Sequence, residues 1–157
     1  MMSKLNLKKR SGDPPVVGKE PPQFQYSDQS PKAIYDAFHA WLFDPKTFPN
    51  ADKKPTMISA PTSEALFLKP GITAAHGDSF MPPDGSREFA HLHKDGSCHI
   101  VVSTQVEDEV LANSWGVRHM YYERGVKEIL VYAPRNEEEI EVLKMLLQES
   151  YKYANGA

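Results

Sequence analysis

The chain has little of what would place it in several large classes of protein. Its 157 residues include a single cysteine, Cys98, so no disulfide can form within it and nothing indicates an oxidising compartment. No run of about 18 apolar residues occurs, and the first twenty residues lack the apolar core of a signal peptide. We therefore expect a cytoplasmic protein with no membrane span.

Strong net charge and the common cofactor-binding motifs are absent too. The formal net charge is −3, which argues against a nucleic-acid-binding surface as the main function. The chain contains no nucleophile elbow, no phosphate-binding loop, no dinucleotide fingerprint and no Cys-x-x-Cys pair. A small molecule is therefore the expected partner, none of these motifs points to a nucleotide cofactor, and the sequence indicates no oligomeric state.

Enough apolar sequence is present for one folded domain preceded by an arm. Hydrophobic residues make up 40% of the chain. A domain of this size buries about two thirds of its unfolded surface, so a core is possible. Residues 1–28 are rich in proline and lysine and show no hydrophobic period, so we predict a flexible N-terminal arm. Residues 29–157 carry the periodic segments and are predicted to form the domain.

The first half of the predicted domain contains one helix and one short strand. Ser30 can cap a helix whose first position is Pro31, and apolar residues recur at helical spacing until Asp44-Pro45. Residues 46–63 contain several prolines and are predicted to be an ordered loop. Residues 65–68 are apolar and predict a short strand.

The second half is more regular and predicts most of a sheet. Asp95-Gly96 lies between two strand-like segments, residues 88–94 and 97–103, and is a strong hairpin signal. The other predicted elements are a helix at 106–113, a strand at 128–132 and a helix at 136–153. Asn136 with Glu139 forms a capping pattern at the start of the last helix. This order predicts a single α+β domain in which a mainly antiparallel sheet packs against two or three helices.

Four of the six histidines lie close together in the sequence. His91 and His93 are two residues apart on a predicted strand, so both side chains leave the same face of the sheet. If the hairpin turn has two residues, His99 points to the other face. If residues 94–96 form a three-residue loop with Gly96 left-handed, His91 lies opposite His99 and three imidazoles share one face. We favour the second geometry, because imidazoles on one face could form one site.

Clustered imidazoles suit two kinds of chemistry. An unperturbed pKa of about 6.5 suits proton transfer near neutral pH. Neutral imidazoles also bind divalent transition-metal ions. A third interpretation is that the histidines are structural, and we adopt it for His39 and His76. The candidate catalytic residues, or in the alternative the metal ligands, are His91, His93, His99 and His119.

The segment around the last of these histidines adds candidates for ligand binding. Trp115 could form a wall for an aromatic or enolate ligand, and Arg118 could act in catalysis as the partner of its anion. Alternatively, Trp115 belongs to the core and Arg118 pairs with an acidic helix. Tyr121 and Tyr122 could line the same pocket or cover the sheet edge.

Two more candidates for substrate binding precede the last helix. Tyr132 ends the strand predicted at residues 128–132, and Arg135 follows Pro134. Arg135 is nevertheless better explained by pairing with the acidic first turn of the helix, which complements the helix dipole.

Four short blocks give the chain a resemblance to a known family. They are Phe89-Ala90-His91-Leu92-His93, Ser97-Cys98-His99, Trp115-Gly116-Val117-Arg118-His119 and Tyr132-Ala133-Pro134-Arg135-Asn136-Glu137-Glu138-Glu139. In this order and with this spacing they resemble the fungal bioluminescence luciferase family. The resemblance covers less than half of the chain and implies a luciferase-like α+β domain within residues 29–157.

The resemblance also implies a reaction. Luciferases of this family use a hydroxylated styryl-pyrone and molecular oxygen, and neither a metal nor an organic cofactor is generally invoked. By similarity, a histidine of the cluster would remove a proton from an acidic enol and Arg118 would stabilise the anion, which then reacts with oxygen. The chain departs from the family at Ser114, where the family has glycine, and at residues 120–122, which replace a proline-led segment.

These departures change the expected substrate but not the expected chemistry. We expect a luciferase-like small enzyme of secondary metabolism that acts on an enolisable aromatic, pyrone or polyketide-type compound, and not light emission. Cofactor-independent oxygenation, cyclisation, isomerisation and decarboxylation all fit histidine acid–base chemistry. The alternatives are a histidine-ligated metal enzyme and a non-catalytic small-molecule-binding module.

Overall fold

A computed structural model describes residues 5–57 and 63–156. The elements are, in chain order, α1 (Lys32–Leu42), β1 (Ala51–Pro55), β2 (Glu64–Leu68), β3 (Glu88–Leu92), β4 (Cys98–Ile100), α2 (Thr104–Ala112), β5 (Gly116–Arg118), a 3₁₀ turn (Tyr122–Arg124), β6 (Ile129–Val131) and α3 (Glu137–Asn155). The strands form one antiparallel sheet in the order β1-β2-β3-β4-β6-β5. The predicted single α+β domain with an antiparallel sheet is therefore confirmed.

Helix α3 covers one face of the sheet and forms the core with it. The predicted apolar stripe of α3 is buried, including Ile140, Leu143 and Leu147. These side chains join the apolar residues of β3, β4 and β6 in one cluster. Helix α3 is therefore amphipathic. Among residues 5–57 and 63–156, no helix is both long enough and apolar enough to cross a bilayer.

The start of α3 is fixed by the cap that the sequence predicts. The Asn136 side-chain oxygen accepts a hydrogen bond of 2.9 Å from the Glu139 backbone N–H. Replacing Asn136 with alanine is expected to lower the free energy of unfolding by about 1 kcal/mol, because this N–H loses its partner. Urea unfolding measures the loss, and Asn136→Ser should keep most of the stability. An alanine variant that unfolds at the wild-type urea concentration would contradict the prediction.

The start of α1 differs from the prediction. The helix begins at Lys32 with Pro31 at the cap position, and no side chain caps it. Ser30 bonds to other parts of the chain instead: its backbone N–H donates to the Asp95 carbonyl and its hydroxyl donates to the Pro134 carbonyl. The predicted Ser30 cap is therefore wrong, and Ser30 instead ties the helix to the hairpin turn.

The two edge strands of the sheet were not predicted. The sequence predicts a loop over residues 46–63, yet β1 occupies Ala51–Pro55, while Pro61 lies outside the described residues. Edge strands are often polar and tolerate proline, so β1 shows none of the apolar alternation that indicates a strand. Strand β5, at the other edge, has only three residues and starts with Gly116.

The N-terminal segment, residues 5–28, packs against both sides of the sheet: Leu7 joins the core on the α3 side, while Gln23 and Phe24 contact histidines on the opposite face. The Arg10 backbone N–H donates to the Asn113 carbonyl at 2.9 Å, and the Gln25 side-chain oxygen accepts from the Ala133 N–H at 2.8 Å. The sequence predicts a flexible arm here. In the structure the segment is held by hydrogen bonds of its backbone and of a side-chain amide. Such bonds do not require a periodic pattern of apolar residues, so the sequence gives no sign of them. The division at residue 28 stays a prediction.

Candidate functional site

The hairpin of β3 and β4 places three imidazoles on one face of the sheet. His91 lies opposite His99, and the connection is a three-residue loop in which Gly96 has φ 98°. This confirms the favoured register. The ring centroids of His91, His93 and His99 lie 5.0, 5.0 and 4.8 Å apart, so the rings form a nearly equilateral triangle. The neighbouring Cys98 faces the core, where burial raises the pKa of its thiol, so it is no nucleophile for His99.

A β-bulge adds a buried carboxylate to this face. In the pairing of β3 with β2, Leu66 lies opposite Ala90 and Phe67 opposite Glu88, so Phe89 has no partner in the register. The extra residue shifts the alternation of side chains by one position. Phe89 therefore packs in the core beside Ala90, and Glu88 turns to the histidine face.

A chain of close polar contacts links this carboxylate to the N-terminal segment. Glu88 Oε2 lies 2.7 Å from His91 Nδ1, and His91 Nε2 lies 3.0 Å from His99 Nδ1. His99 Nε2 lies 2.8 Å from the side-chain oxygen of Gln23. All four side chains are buried. Since an amide oxygen only accepts, His99 carries its proton on Nε2 and presents a lone pair at Nδ1.

His93 is held by a separate set of contacts. Its Nδ1 lies 2.9 Å from the Ser97 hydroxyl, which itself donates to the Asp95 carboxylate. The Phe24 ring packs edge-on against the imidazole. His93 Nε2 is buried and has no hydrogen-bond partner among the residues that the structure describes. His93 also lines a neighbouring cavity of about 280 Å³.

His119, directly after β5, and Glu128, directly before β6, reach the same region. The His119 backbone N–H donates to the Glu128 carbonyl, and the ring centroid lies 5.3 Å from that of His99. His119 Nδ1 accepts a hydrogen bond of 3.0 Å from the Tyr121 N–H. Glu128 Oε1 lies 3.6 Å from His99 Nδ1, too far for a hydrogen bond, and its Oε2 has no partner within the described part of the chain.

Burial determines the protonation of these groups. It penalises the charged form and, with the neighbouring His91, lowers the pKa of His93 and His99 well below the ordinary value. The same causes lower the pKa of the half-buried His119. Burial, with Glu88 nearby, raises the pKa of Glu128 to about 8. Burial thus favours the neutral forms of both His99 and Glu128.

These groups converge on a cavity of about 210 Å³ beneath the N-terminal segment. Its polar part comes from His91, His99, His119, Glu128 and Gln23, and its apolar part from prolines and a valine. The lining residues are Pro21, Pro22, Gln23, Pro82, His91, His99, His119, Tyr121, Val126 and Glu128. The structure thus gathers four imidazoles in one cluster, three of which face this cavity.

Three residues predicted to contact the ligand lie elsewhere. Trp115 is buried in the core, where its Nε1 donates to a backbone carbonyl of the N-terminal segment. Arg118 lies 3.6 Å from the Glu107 carboxylate and over the ring of Tyr122, whose hydroxyl donates to Glu107 at 2.7 Å. Arg118 lies opposite Ile129 in the sheet, so its side chain is on the face that α3 covers and not on the face of the histidines. Trp115 thus lies in the core and Arg118 pairs with a glutamate of an acidic helix, as the alternative interpretations of the two residues stated.

The remaining predicted contacts divide in the same way. Tyr121 lines the cavity. Tyr132 is buried beneath the guanidinium of Arg10, 5.1 Å from its ring centroid, and does not line the cavity. Arg135 pairs with Glu139 at 2.6 Å, which is the structural role that its position before an acidic helix turn indicates.

Sequence reasoning missed three residues of the site. Gln23 lies in a proline-rich segment without any pattern, and only its contact with His99 identifies it. Glu88 lies three residues before His91, a spacing that would put the two on opposite faces of a regular strand. Glu128 begins a strand-like apolar run. A charged residue at the start of a buried strand was the only sign in the sequence that it could belong to the site.

Comparisons with known proteins agree with this part of the fold. Residues 86–150 match the family model described as a luciferase domain, and they include every histidine of the cluster as well as Glu88 and Glu128. Over 102 residues the chain is 34% identical to a luciferase of Armillaria ostoyae, 33% to one of Armillaria mellea and 34% to one of Neonothopanus nambi. No solved structure matches the chain.

The similarity covers part of each protein. The alignments take in 58% of this chain, and the chain spans 38% of the length of these curated relatives. A luciferase-like domain is therefore present in the C-terminal part of the chain, and Gln23 lies outside the segment that the family model matches.

Proposed function

We propose, on the premise that residues 86–150 form a luciferase-like domain, that the chain is an enzyme of secondary metabolism that removes a proton from an enolisable ring compound. The observation that carries this proposal is the convergence of His91, His99 and His119 on one cavity beneath Gln23. Imidazoles are the side chains best suited to proton transfer near neutral pH. The proposal needs no organic cofactor.

The size of the cavity supports an aromatic or pyrone-like substrate. An engineered protein cavity of about 150 Å³ binds benzene, so a cavity of about 210 Å³ accommodates one six-membered ring with small substituents. Prolines 21, 22 and 82 with Val126 offer apolar contacts to the ring, while the imidazoles and Glu128 lie where its oxygen atoms would bind. A larger polyketide-type compound would place one ring here and the remainder outside.

His119 is the residue to which we assign stabilisation of the substrate anion. Since its Nδ1 accepts the Tyr121 N–H, the proton of the neutral ring is on Nε2, which is then a donor for an oxyanion. The proton from the substrate hydroxyl goes to the imidazole cluster formed by His91, His93 and His99. Arg118 does not take part in this proposal, because it pairs with Glu107 on the other face of the sheet.

The test is turnover of a panel of 4-hydroxy-2-pyrones and hydroxylated aromatic ketones. Substrate loss is followed by chromatography, and an oxygen electrode separates oxygenation from cyclisation, isomerisation or decarboxylation. Replacing His119 with alanine is expected to lower kcat/KM by about 100-fold, the cost of removing one donor to an oxyanion. His76→Ala is the control, since His76 stacks on Tyr153 and does not line the cavity, so this variant should keep wild-type turnover.

Two outcomes would contradict the proposal. Wild-type protein that binds members of the panel and converts none would identify a binding module. Equal turnover in the wild type and in His119→Ala would remove His119 from the reaction.

A further inference from the structure

We infer that His91, His93 and His99 form a binding site for one divalent transition-metal ion, with Zn²⁺ and Co²⁺ as suitable occupants. The site lies beside the cavity of the proposed function, and the role of the ion in turnover rests on that proposal. Binding of the ion itself does not, and it is measured without a substrate.

The spacing of the three rings fits one ion. One ring nitrogen from each histidine lies within 4.8 Å of the corresponding nitrogens of the other two, and all three residues are buried. His91 Nε2 and His99 Nδ1 are 3.0 Å apart. Two nitrogens bound to one tetrahedral zinc at about 2.0–2.1 Å would be about 3.3–3.4 Å apart. The closest pair is therefore already near the separation of two ligands, and the other separations need to close by at most about 1.4 Å.

The outer nitrogen of each ring meets a hydrogen-bond acceptor. Glu88 accepts from His91 Nδ1, and Gln23 accepts from His99 Nε2. The Ser97 hydroxyl gives its own proton to the Asp95 carboxylate and so accepts from His93 Nδ1. These contacts place each imidazole proton on the outer side of the ring. Metal-binding histidines are oriented in this way, with the second nitrogen donating to a carboxylate, carbonyl or hydroxyl oxygen.

The inner nitrogens then present three lone pairs to one another. His91 Nε2 faces His99 Nδ1 with no proton assigned between them, and the buried His93 Nε2 has no partner among the described side chains and backbone. Unpartnered buried polar atoms are rare and costly, so this arrangement calls for an unseen ligand. A divalent ion satisfies all three lone pairs at once.

The chemistry of the ligands restricts the ion. Three neutral nitrogens and no carboxylate favour zinc, cobalt, nickel or copper over magnesium and calcium, which prefer oxygen. Three protein ligands leave one tetrahedral position for water or a substrate oxygen. With an ion in place, the three imidazoles would hold the ion and could not also accept the substrate proton. The ion would lower the pKa of a bound enol, whose proton would then pass to solvent.

A second group of possible ligands nearby serves as an internal control. His99, His119 and Glu128 also offer atoms within 4.8 Å of one another. His119 Nδ1, however, accepts the Tyr121 N–H, so the ring proton is on Nε2 and neither nitrogen has a lone pair for an ion. His119 therefore keeps its proposed role as a hydrogen-bond donor to the substrate, and its loss should leave metal binding unchanged.

The test uses the full chain purified without a metal-affinity tag. Its metal content is measured by mass spectrometry, and chelator-treated protein is titrated with Co²⁺ in the visible spectrum and with Zn²⁺ by calorimetry. We expect one ion per chain. His93→Ala should weaken Zn²⁺ binding at least about 100-fold, and Ser97→Ala about 10- to 100-fold. His119→Ala and His76→Ala should bind as the wild type does, and circular dichroism shows which variants are folded.

The outcomes separate this inference from the proposed function. Wild-type protein that takes up no stoichiometric Zn²⁺ or Co²⁺ overturns the metal site, whatever the variants do. An equal loss of affinity in His119→Ala and His93→Ala also overturns it, because the ligand set would be different. Chelator-treated protein that converts its substrate at the wild-type rate removes the ion from the reaction while leaving the proposed function intact.

Discussion

Replacing Glu88 with alanine is expected to lower the free energy of unfolding by about 3–5 kcal/mol, because its buried carboxylate accepts several hydrogen bonds and each lost acceptor costs about 1–3 kcal/mol. The carboxylate is fully buried. It accepts from the Met57 N–H at 3.0 Å and lies 2.7 Å from His91 Nδ1. The Thr56 hydroxyl also donates to this carboxylate, at 2.8 Å. Alanine removes the acceptor of all three groups, and the buried His91 Nδ1 then has no acceptor there.

Glu64→Ala is the matched control for this prediction. Glu64 is on the adjacent strand and pairs with His39 and Lys53, but its side chain is 38% exposed. Exposed ion pairs contribute at most about 1 kcal/mol, so this variant should unfold close to the wild type. Equal losses in urea unfolding for the two alanine variants would mean that the Glu88 contacts do not stabilise the sheet. Glu88→Gln keeps the shape of the side chain and should retain the fold while weakening Zn²⁺ binding about 10- to 100-fold.

Replacing Gly96 with alanine is expected to cost about 3 kcal/mol and to disturb the hairpin that aligns His91 with His99. Gly96 has φ 98°, and a left-handed backbone costs an L-residue about 1–2 kcal/mol. An added Cβ would lie 2.8 Å from Ser30 Cβ and 3.1 Å from Ala133 Cβ, and closer still to the Ser30 hydroxyl. Such crowding adds about 1–3 kcal/mol.

Gly85→Ala separates the two contributions. Gly85 has φ 83°, close to that of Gly96, but nothing lies within 4 Å of its added Cβ. This variant should therefore lose only the backbone part, about 1–2 kcal/mol. If both variants unfold at the same urea concentration, the contact between the turn and Ser30 has no effect on stability. A fall in Zn²⁺ affinity in Gly96→Ala alone would show that the turn aligns the histidines.

The sequence predicts the hairpin and its histidines because their signals are local. Asp95-Gly96 marks the turn, and a side-chain period of two then places His91, His93 and His99 on one face. Helix α3 was predicted for the same reason, since the Asn136 cap and the apolar stripe lie within one segment. In both cases the residues that decide the structure are neighbours in the chain.

The rest of the site depends on residues that are far apart in the chain or on an irregular backbone. A regular strand would turn Glu88 away from His91, and a single unpaired residue, Phe89, reverses that. Gln23 reaches His99 across 76 positions in the sequence. Arg118 lies apart from the histidines for the opposite reason: a regular alternation in β5 puts it on the face away from His99.

The position of Cys98 gives this protein a chemical probe of its own stability. The only sulfhydryl of the chain points into the core from the strand that carries His99 on its other side. The thiolate is the nucleophile that attacks a thiol reagent, and the reagent must reach it, so Cys98 reacts only when the centre of the sheet opens. The rate at which an unlabelled, unmutated sample consumes such a reagent therefore reports how often the strands around the imidazoles separate.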